Sequence, residues 1–150
     1  MKVVIDASVA VKWILPDPKR EPHIEQALQL LRDLRDARID VLQPPHWLIE
    51  TAAVVTRLSP EAVEPGLDLL DAMELPVTAD LATLKRGCQL AQKLNHHLFD
   101  TLYHAVAFEH GALLVTADDH YFRKAESLGQ ILPLKSWPGP LQEESGSSRK

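Results

Sequence analysis

The fold is decided by residues 2–13, which read KVVIDASVAVKW. Residues 2–5 form a short run rich in β-branched side chains, which is typical of a buried central strand. The polar segment from Asp6 to Ser8 follows at once, and such residues cap a helix that we predict to continue to Leu15. The segment therefore predicts a strand that leads directly into a helix, with an acid at the turn between them.

The rest of the chain repeats this alternation. Apolar spacing predicts helices over residues 23–38, 45–58, 61–73, 80–95, 100–110 and 119–128. The apolar stripe of the fourth of these helices, at residues 80–95, consists of Leu81, Leu84, Cys88 and Ala91. Further short apolar runs predict strands at residues 41–42, 75–77, 112–115 and 131–132. Strands that alternate with helices predict an α/β fold, here a three-layer α/β/α sandwich around a mostly parallel sheet.

Length and composition favour one compact domain. We expect it to cover residues 1–135, followed by a polar, disordered C-terminal tail over residues 136–150. The single cysteine, Cys88, excludes an intramolecular disulfide and a cysteine-based zinc site. No apolar run reaches the roughly 18 residues that span a bilayer, and the N-terminal stretch does not resemble a secretory signal. The expected location is therefore the cytoplasm.

Four acids stand out by their position. Asp6 and Asp118 directly follow the two clearest strands, at the sheet edge where open α/β folds bind ligands. Asp100 lies at the predicted start of a helix, and Glu50 interrupts an otherwise apolar helical stretch. Taken singly, the three aspartates can be helix caps and the glutamate a solvated surface residue. Their combination predicts that the four acids converge.

Converging carboxylates have a definite chemistry. They raise one another's pKa unless a cation compensates, and oxygen-only ligands suit Mg²⁺ or Mn²⁺. Such ions orient a phosphate and generate hydroxide from bound water, which is the chemistry of phosphodiester hydrolysis. The net charge of −5 is unusual for a nucleic-acid binder, but removing these four acids leaves 21 − 4 = 17 acids against 16 bases. The overall charge therefore does not decide whether RNA is a partner.

Four segments of the chain form one ordered pattern, namely residues 3–13, 45–50, 99–105 and 114–122. Together they resemble a known family, the PIN domain, and specifically the VapC-type toxins of bacterial toxin–antitoxin pairs, and the resemblance extends over residues 1–134. It implies an α/β/α sandwich and a ribonuclease that cleaves single-stranded RNA with magnesium or manganese. It also implies a homodimer that a cognate antitoxin protein holds inactive.

The resemblance assigns roles to individual residues. The family's metal-coordinating acids match Asp6, Glu50 and Asp100, and its fourth acid matches Asp118. Ser8 and Thr116 match small hydroxyl residues that support these acids.

This sequence departs from the family pattern at one position and is ambiguous at another. Many relatives carry an asparagine three residues after the glutamate, where this chain has Ala53, so a hydrogen-bonding residue that supports the site is missing there, which bears on activity and not on the metal site. Asp119 directly follows Asp118, and we favour Asp118 as the fourth acid because of its spacing from Thr116. Asp119 is then the residue expected to cap the helix.

Several alternatives remain open. A histidine-based zinc site is one, although no two of the histidines 96, 97, 104, 110 and 120 have the i, i+4 spacing of a helical zinc motif. His104 is either a general base near Asp100 or a surface histidine. Trp13 either packs in the core or an interface, or stacks on a nucleic-acid base. Six basic residues either contact a phosphate group or are solvated surface charges: Lys12, Lys85, Arg86, Lys93, Arg123 and Lys124. A non-enzymatic binding module and a DNA-directed nuclease are the competing functions.

Overall fold

A four-stranded parallel sheet forms the centre of the computed structural model, which describes residues 1–141. Its strands are β1 (Lys2–Ile5), β2 (Asp40–Val41), β3 (Leu113–Thr116) and β4 (Ile131–Pro133), in the order β2-β1-β3-β4. The helices are α1 (Ala7–Ile14), α2 (Ile24–Arg35), α3 (Trp47–Leu58), α4 (Val63–Ala72), α5 (Leu81–Leu94), α6 (Leu98–His110) and α7 (Asp119–Ala125). The predicted α/β fold class is confirmed.

The central strand β1 organises the core. Val3, Val4 and Ile5 are completely buried, as expected for a strand covered by helices on both faces. β1 pairs in parallel with β2 on one side and with β3 on the other, where Ile5 lies opposite Val115. α1 packs against α2, and α6 packs against β1 and β3.

The segment at residues 75–77 was predicted to be a strand, and this is wrong. Val77 makes only an isolated bridge to Gln43, beyond the end of β2. The main chain of Gln43 bonds to Pro76 and Thr78, so the segment contacts the sheet edge without extending it. The cause is the shortness of β2, which ends at Val41 and offers no ladder to pair with.

The predicted apolar stripe of α5 is also wrong. Leu81 is 63% exposed and Leu84 is 43% exposed, and the residues that face the protein are Thr83, Gly87 and Leu90. A Cβ atom at Gly87 would lie 3.1 Å from Leu102 of α6. Thr83 and Gly87 therefore face α6 because the two helices pack closely, and Leu81 and Leu84 are left outside.

The folded domain continues past the boundary predicted at residue 135. Trp137 is 3% exposed, and its Nε1 donates to Asp33 Oδ2 of α2 at 2.9 Å. Leu141 also packs against the core, so residues 136–141 belong to the domain and not to the predicted tail. The disorder expected for the rest of that tail, residues 142–150, lies outside the described residues. Among residues 1–141, no helix has both the length and the apolar character needed to cross a membrane.

Candidate active site

Four elements bring the four predicted acids to one cleft of about 400 Å³ at the carboxyl end of the sheet. Asp6 is the N-cap of α1 and Asp118 is the N-cap of α7. Glu50 and Asp100 lie in the first turns of α3 and α6. We call this depression, lined by all four acids, the acid cleft.

Asp6 and Asp118 are adjacent because β1 and β3 are paired neighbours. The main-chain N–H of Asp6 donates to the Val115 carbonyl at 3.1 Å, which continues the pairing one residue beyond β1. The chain then turns into a helix after each strand, so both acids lie at the same sheet edge. This is the edge at which the sequence predicted a ligand site.

The two predicted supporting hydroxyls contact these acids. Ser8 Oγ donates to Asp6 Oδ2 and accepts the main-chain N–H of Ala117 at 3.0 Å. Thr116 Oγ1 accepts the main-chain N–H of Asp118 at 3.0 Å. Ser8 therefore ties the turn after β1 to the turn after β3, and Thr116 fixes the backbone that carries Asp118.

Asp118 and Asp119 have the opposite capping roles from those predicted. Asp118 caps α7 through its Oδ1, which accepts the Tyr121 N–H at 3.1 Å, whereas Asp119 is the first residue of the helix and is exposed. The capping prediction for Asp119 is wrong because the N-cap position falls one residue earlier. Asp118 is the one of the two that lines the acid cleft.

The acids differ in their exposure to solvent. Asp6 is 8% exposed, whereas the side chains of Glu50 and Asp100 are 26% and 30% exposed. Burial raises the pKa of Asp6 to about 7; its two hydrogen bonds from Ser8 oppose this shift, and the charges of Glu50 and Asp100 add to it. Asp6 is thus a buried carboxyl whose charge the surrounding protein does not compensate.

Two histidines that the sequence analysis did not assign to the site contact these acids. His96 Nε2 lies 2.7 Å from Asp100 Oδ2, and His46 Nε2 lies 3.4 Å from Glu50 Oε2. Burial lowers the pKa of His46, but the hydrogen bonds and charges of its acidic and carbonyl neighbours outweigh burial and raise it overall. The available signal in the sequence was the spacing, since each histidine precedes its acid by four residues.

A second depression adjoins the acid cleft and shares Asp100 and Asp118 with it. It has a volume of about 420 Å³, and its other lining residues are Asn95, His96, His97, His120 and Lys124. Although three histidines meet here, no three histidine, cysteine or acidic side chains within residues 1–141 are arranged to hold a metal ion as they stand. Asp6, Asp100 and Asp118 instead accept hydrogen bonds from Ser8, His96 and Tyr121.

His104 is neither a general base nor a surface histidine. It is completely buried, its Nε2 lies 2.9 Å from the Gly129 carbonyl, and its Nδ1 lies 2.9 Å from the Tyr121 hydroxyl. A carbonyl only accepts, so Nε2 carries the proton and Nδ1 accepts from Tyr121. Burial lowers the pKa of His104, so it is a neutral part of the core.

The basic residues and Trp13, whose roles the sequence left open, have defined positions in the structure. Lys12 lines the acid cleft but is buried, with its ammonium 3.2 Å from Glu21. Arg57, which no sequence pattern singled out, lines the same cleft and is exposed. Trp13 is a core residue whose Nε1 donates to the Ala27 carbonyl at 2.8 Å. Of the other candidates, Arg86 pairs with Glu109 and Lys124 donates to the Asn95 carbonyl, whereas Lys85, Lys93 and Arg123 are exposed.

Comparison with known proteins agrees with this architecture. The family model described as the PIN domain matches residues 3–127, and the chain therefore belongs to the PIN domain family, whose members are in general nucleases. A comparison with curated proteins gave no match.

Two solved structures share the fold. One is VapBC2 from Rickettsia felis bound to a DNA fragment from its promoter, with a TM-score of 0.60, 17% identity and coverage of 89% of this chain and 97% of that chain. The other is PAE2754 from Pyrobaculum aerophilum, with a TM-score of 0.63, 14% identity and coverage of 91% of each chain. At these identities the likeness concerns the fold.

Proposed function

We propose that this protein is a divalent-metal-dependent endoribonuclease that cleaves single-stranded RNA, and that it is the VapC-type toxin of a toxin–antitoxin pair acting in the cytoplasm. The observation that carries the proposal is the meeting of Asp6, Glu50, Asp100 and Asp118 at one cleft from four separate elements. Helix capping accounts for Asp6 and Asp118, but it requires neither Glu50 nor Asp100 to face the same cleft.

The acid cleft suits Mg²⁺ or Mn²⁺ by its donor chemistry. Its candidate ligands are carboxylate oxygens, which hard divalent ions prefer. The raised pKa of Asp6 reflects a buried negative charge without compensation, which a cation would supply. Protein groups bond to Asp6, Asp100 and Asp118 through one carboxylate oxygen each, so the second oxygen of each acid is available to a cation.

A bound ion would polarise the scissile phosphate and lower the pKa of a bound water. The chain's own residues then have separate tasks. Ser8 and Thr116 hold the turns that carry Asp6 and Asp118. Arg57 is exposed in the wall of the cleft, where its guanidinium can pair with a backbone phosphate of the substrate.

Cleavage of labelled RNA tests this function. Purified protein is incubated with single-stranded RNA, with or without Mn²⁺ or Mg²⁺ and with excess chelator, alongside the same sequence as DNA. We expect cleavage of the RNA that chelator and the Asp6→Asn change both abolish. Cleavage of DNA instead would identify a DNA-directed nuclease. If no chelator-sensitive cleavage occurs, the alternative of an inactive PIN-fold binding module is favoured.

An antitoxin protein and a second copy of the chain are the partners we propose. The fold likeness to a VapBC assembly supports the antitoxin, although that assembly is a property of the relative. Co-expression with the product of a short adjacent reading frame tests it, because an antitoxin should co-purify with this chain and suppress RNA cleavage. Light scattering of the isolated protein tests the homodimer.

A further inference from the structure

Glu50 and Asp100 share an arrangement that the proposed function does not explain. Each has one carboxylate oxygen beside the Nε2 of a histidine four residues earlier: His96 hydrogen-bonds to Asp100 at 2.7 Å, and His46 lies 3.4 Å from Glu50. The histidine side chains are 14% and 6% exposed, so both rings are fixed within the protein and do not sample solvent freely.

The neighbouring Lys124 determines which ring nitrogen of His96 donates. The Lys124 ammonium lies 3.2 Å from His96 Nδ1, and it is itself held by the Asn95 carbonyl at 3.1 Å. An ammonium group only donates, so Nδ1 accepts and Nε2 carries the proton that is donated to Asp100 Oδ2. The result is a chain of contacts from Lys124 of α7 through His96 to Asp100 of α6.

His46 connects two helices of the cleft in a similar way. Its Nε2 lies 2.7 Å from the Phe99 carbonyl and 3.4 Å from Glu50 Oε2, and both of these groups are acceptors. The Nε2–H therefore donates to the Phe99 carbonyl, and Glu50 Oε2 lies beside the same nitrogen as a longer charged contact. The ring packs beside Phe99 and Tyr103, with centroid distances of 5.4 and 4.8 Å.

We propose that His46 and His96 are positioning residues that fix the cleft carboxylates before the cation binds. Each histidine engages one oxygen, Glu50 Oε2 or Asp100 Oδ2, which leaves the other oxygen of that carboxylate for the cation. Ala53 offers Glu50 no hydrogen bond, and His46 at the N-cap of α3 is the polar side chain beside it. Such supporting contacts raise affinity by orienting the ligands in advance.

This inference rests on the proposed cation site, so its test measures metal binding as well as activity. Calorimetry with Mn²⁺ is carried out on the wild type and on His46→Ala, His96→Ala, His96→Gln and His97→Ala. We expect the two alanine variants at positions 46 and 96 to bind Mn²⁺ about tenfold or more weakly. Glutamine at position 96 can still donate to Asp100 and should recover most of the affinity. The exposed His97 side chain makes no hydrogen bond to either acid, and alanine keeps the main-chain carbonyl that accepts the Asp100 N–H, so His97→Ala should bind like the wild type.

RNA cleavage provides the second readout. With His46→Ala and His96→Ala, kcat should fall at limiting Mn²⁺ and recover at high Mn²⁺, with the KM for RNA unchanged. With Asp100→Asn, high Mn²⁺ should not restore kcat. Circular dichroism and thermal unfolding identify any variant that fails to fold. If His96→Ala does not fold, His96→Gln is the variant that still tests this position. Wild-type Mn²⁺ affinity in both folded alanine variants would overturn the inference, whereas absence of Mn²⁺ binding by the wild type would overturn the proposed function itself.

Discussion

The side-chain amide of Gln43 pairs with both main-chain groups of Ile5, accepting from its N–H at 2.8 Å and donating to its carbonyl at 2.9 Å. Ile5 ends β1 and directly precedes Asp6. β2 has already ended at Val41, so the Gln43 amide takes the place of a neighbouring strand at this point. It thereby fixes the residue that carries the first acid into the cleft.

Replacing Gln43 with leucine should destabilise the protein by about 2–4 kcal/mol, because two buried main-chain groups of Ile5 would lose their partner. Urea unfolding followed by circular dichroism measures the change. Gln92→Leu, an exposed position on α5, is the matched control and should change stability by about 0.5 kcal/mol or less. Equal stabilities for the two variants would show that the Gln43 amide is not needed to hold Ile5.

The two tyrosines should respond differently to loss of their hydroxyl group. The Tyr121 hydroxyl donates to His104 Nδ1, whereas the Tyr103 hydroxyl is buried with no partner among residues 1–141. Tyr121→Phe leaves a buried acceptor unsatisfied and should cost about 1–3 kcal/mol, while Tyr103→Phe should be neutral or stabilising in metal-free protein. Thermal unfolding of both variants in chelator compares them, and the reverse order would refute the hydrogen-bond assignment.

The raised pKa of Asp6 should make stability depend on pH. Between its usual value of 3.8 and about 7, the folded state keeps the Asp6 proton that the unfolded state has lost. Stability therefore falls as pH rises through this window, with a contribution of up to about 4 kcal/mol from Asp6. In chelator, the stability advantage of Asp6→Asn over the wild type should grow from about 2 kcal/mol at pH 5 to about 4 kcal/mol at pH 8.

Urea unfolding at several pH values measures this difference, and Asp68→Asn, an exposed acid on α4, controls for the loss of one carboxyl group. A difference between Asp6→Asn and the wild type that does not change with pH would show that Asp6 is ionised in the folded protein. Added Mn²⁺ should stabilise the wild type more at pH 8 than at pH 5, since the cation replaces the proton.

Trp137 should be essential for the stability of the domain. Trp137→Ala removes a buried indole and should cost about 3–5 kcal/mol. Trp137→Phe retains most of the packing but leaves Asp33 without its Nε1–H donor, so we expect a smaller loss of about 1–3 kcal/mol. Chemical unfolding measures both variants. Wild-type stability of Trp137→Ala would mean that the domain does end near residue 135.

The sequence was sufficient for those features that follow from local patterns. The β-branched run at residues 3–5 and the acids after β1 and β3 identified both the sheet and the edge at which these acids meet, because parallel strands end together. The apolar spacing of Leu81 and Leu84 predicted the wrong buried face of α5. Such spacing does not reveal that Gly87, on another face of the helix, allows α6 to approach closely. Gln43, Trp137 and Lys124 act across 38, 104 and 28 residues of chain, and no local pattern encodes such contacts.

The central claim is that four acids from four elements form one divalent-cation site, and calorimetric titration with Mn²⁺ tests it most directly. The wild type should bind Mn²⁺ saturably at pH 7.5. Asp6→Asn, Glu50→Gln, Asp100→Asn and Asp118→Asn should each weaken that binding about tenfold or more, whereas the exposed neighbour Asp119→Asn should leave it unchanged. Absence of saturable binding by the wild type, or equal affinities for all five variants, would contradict the account.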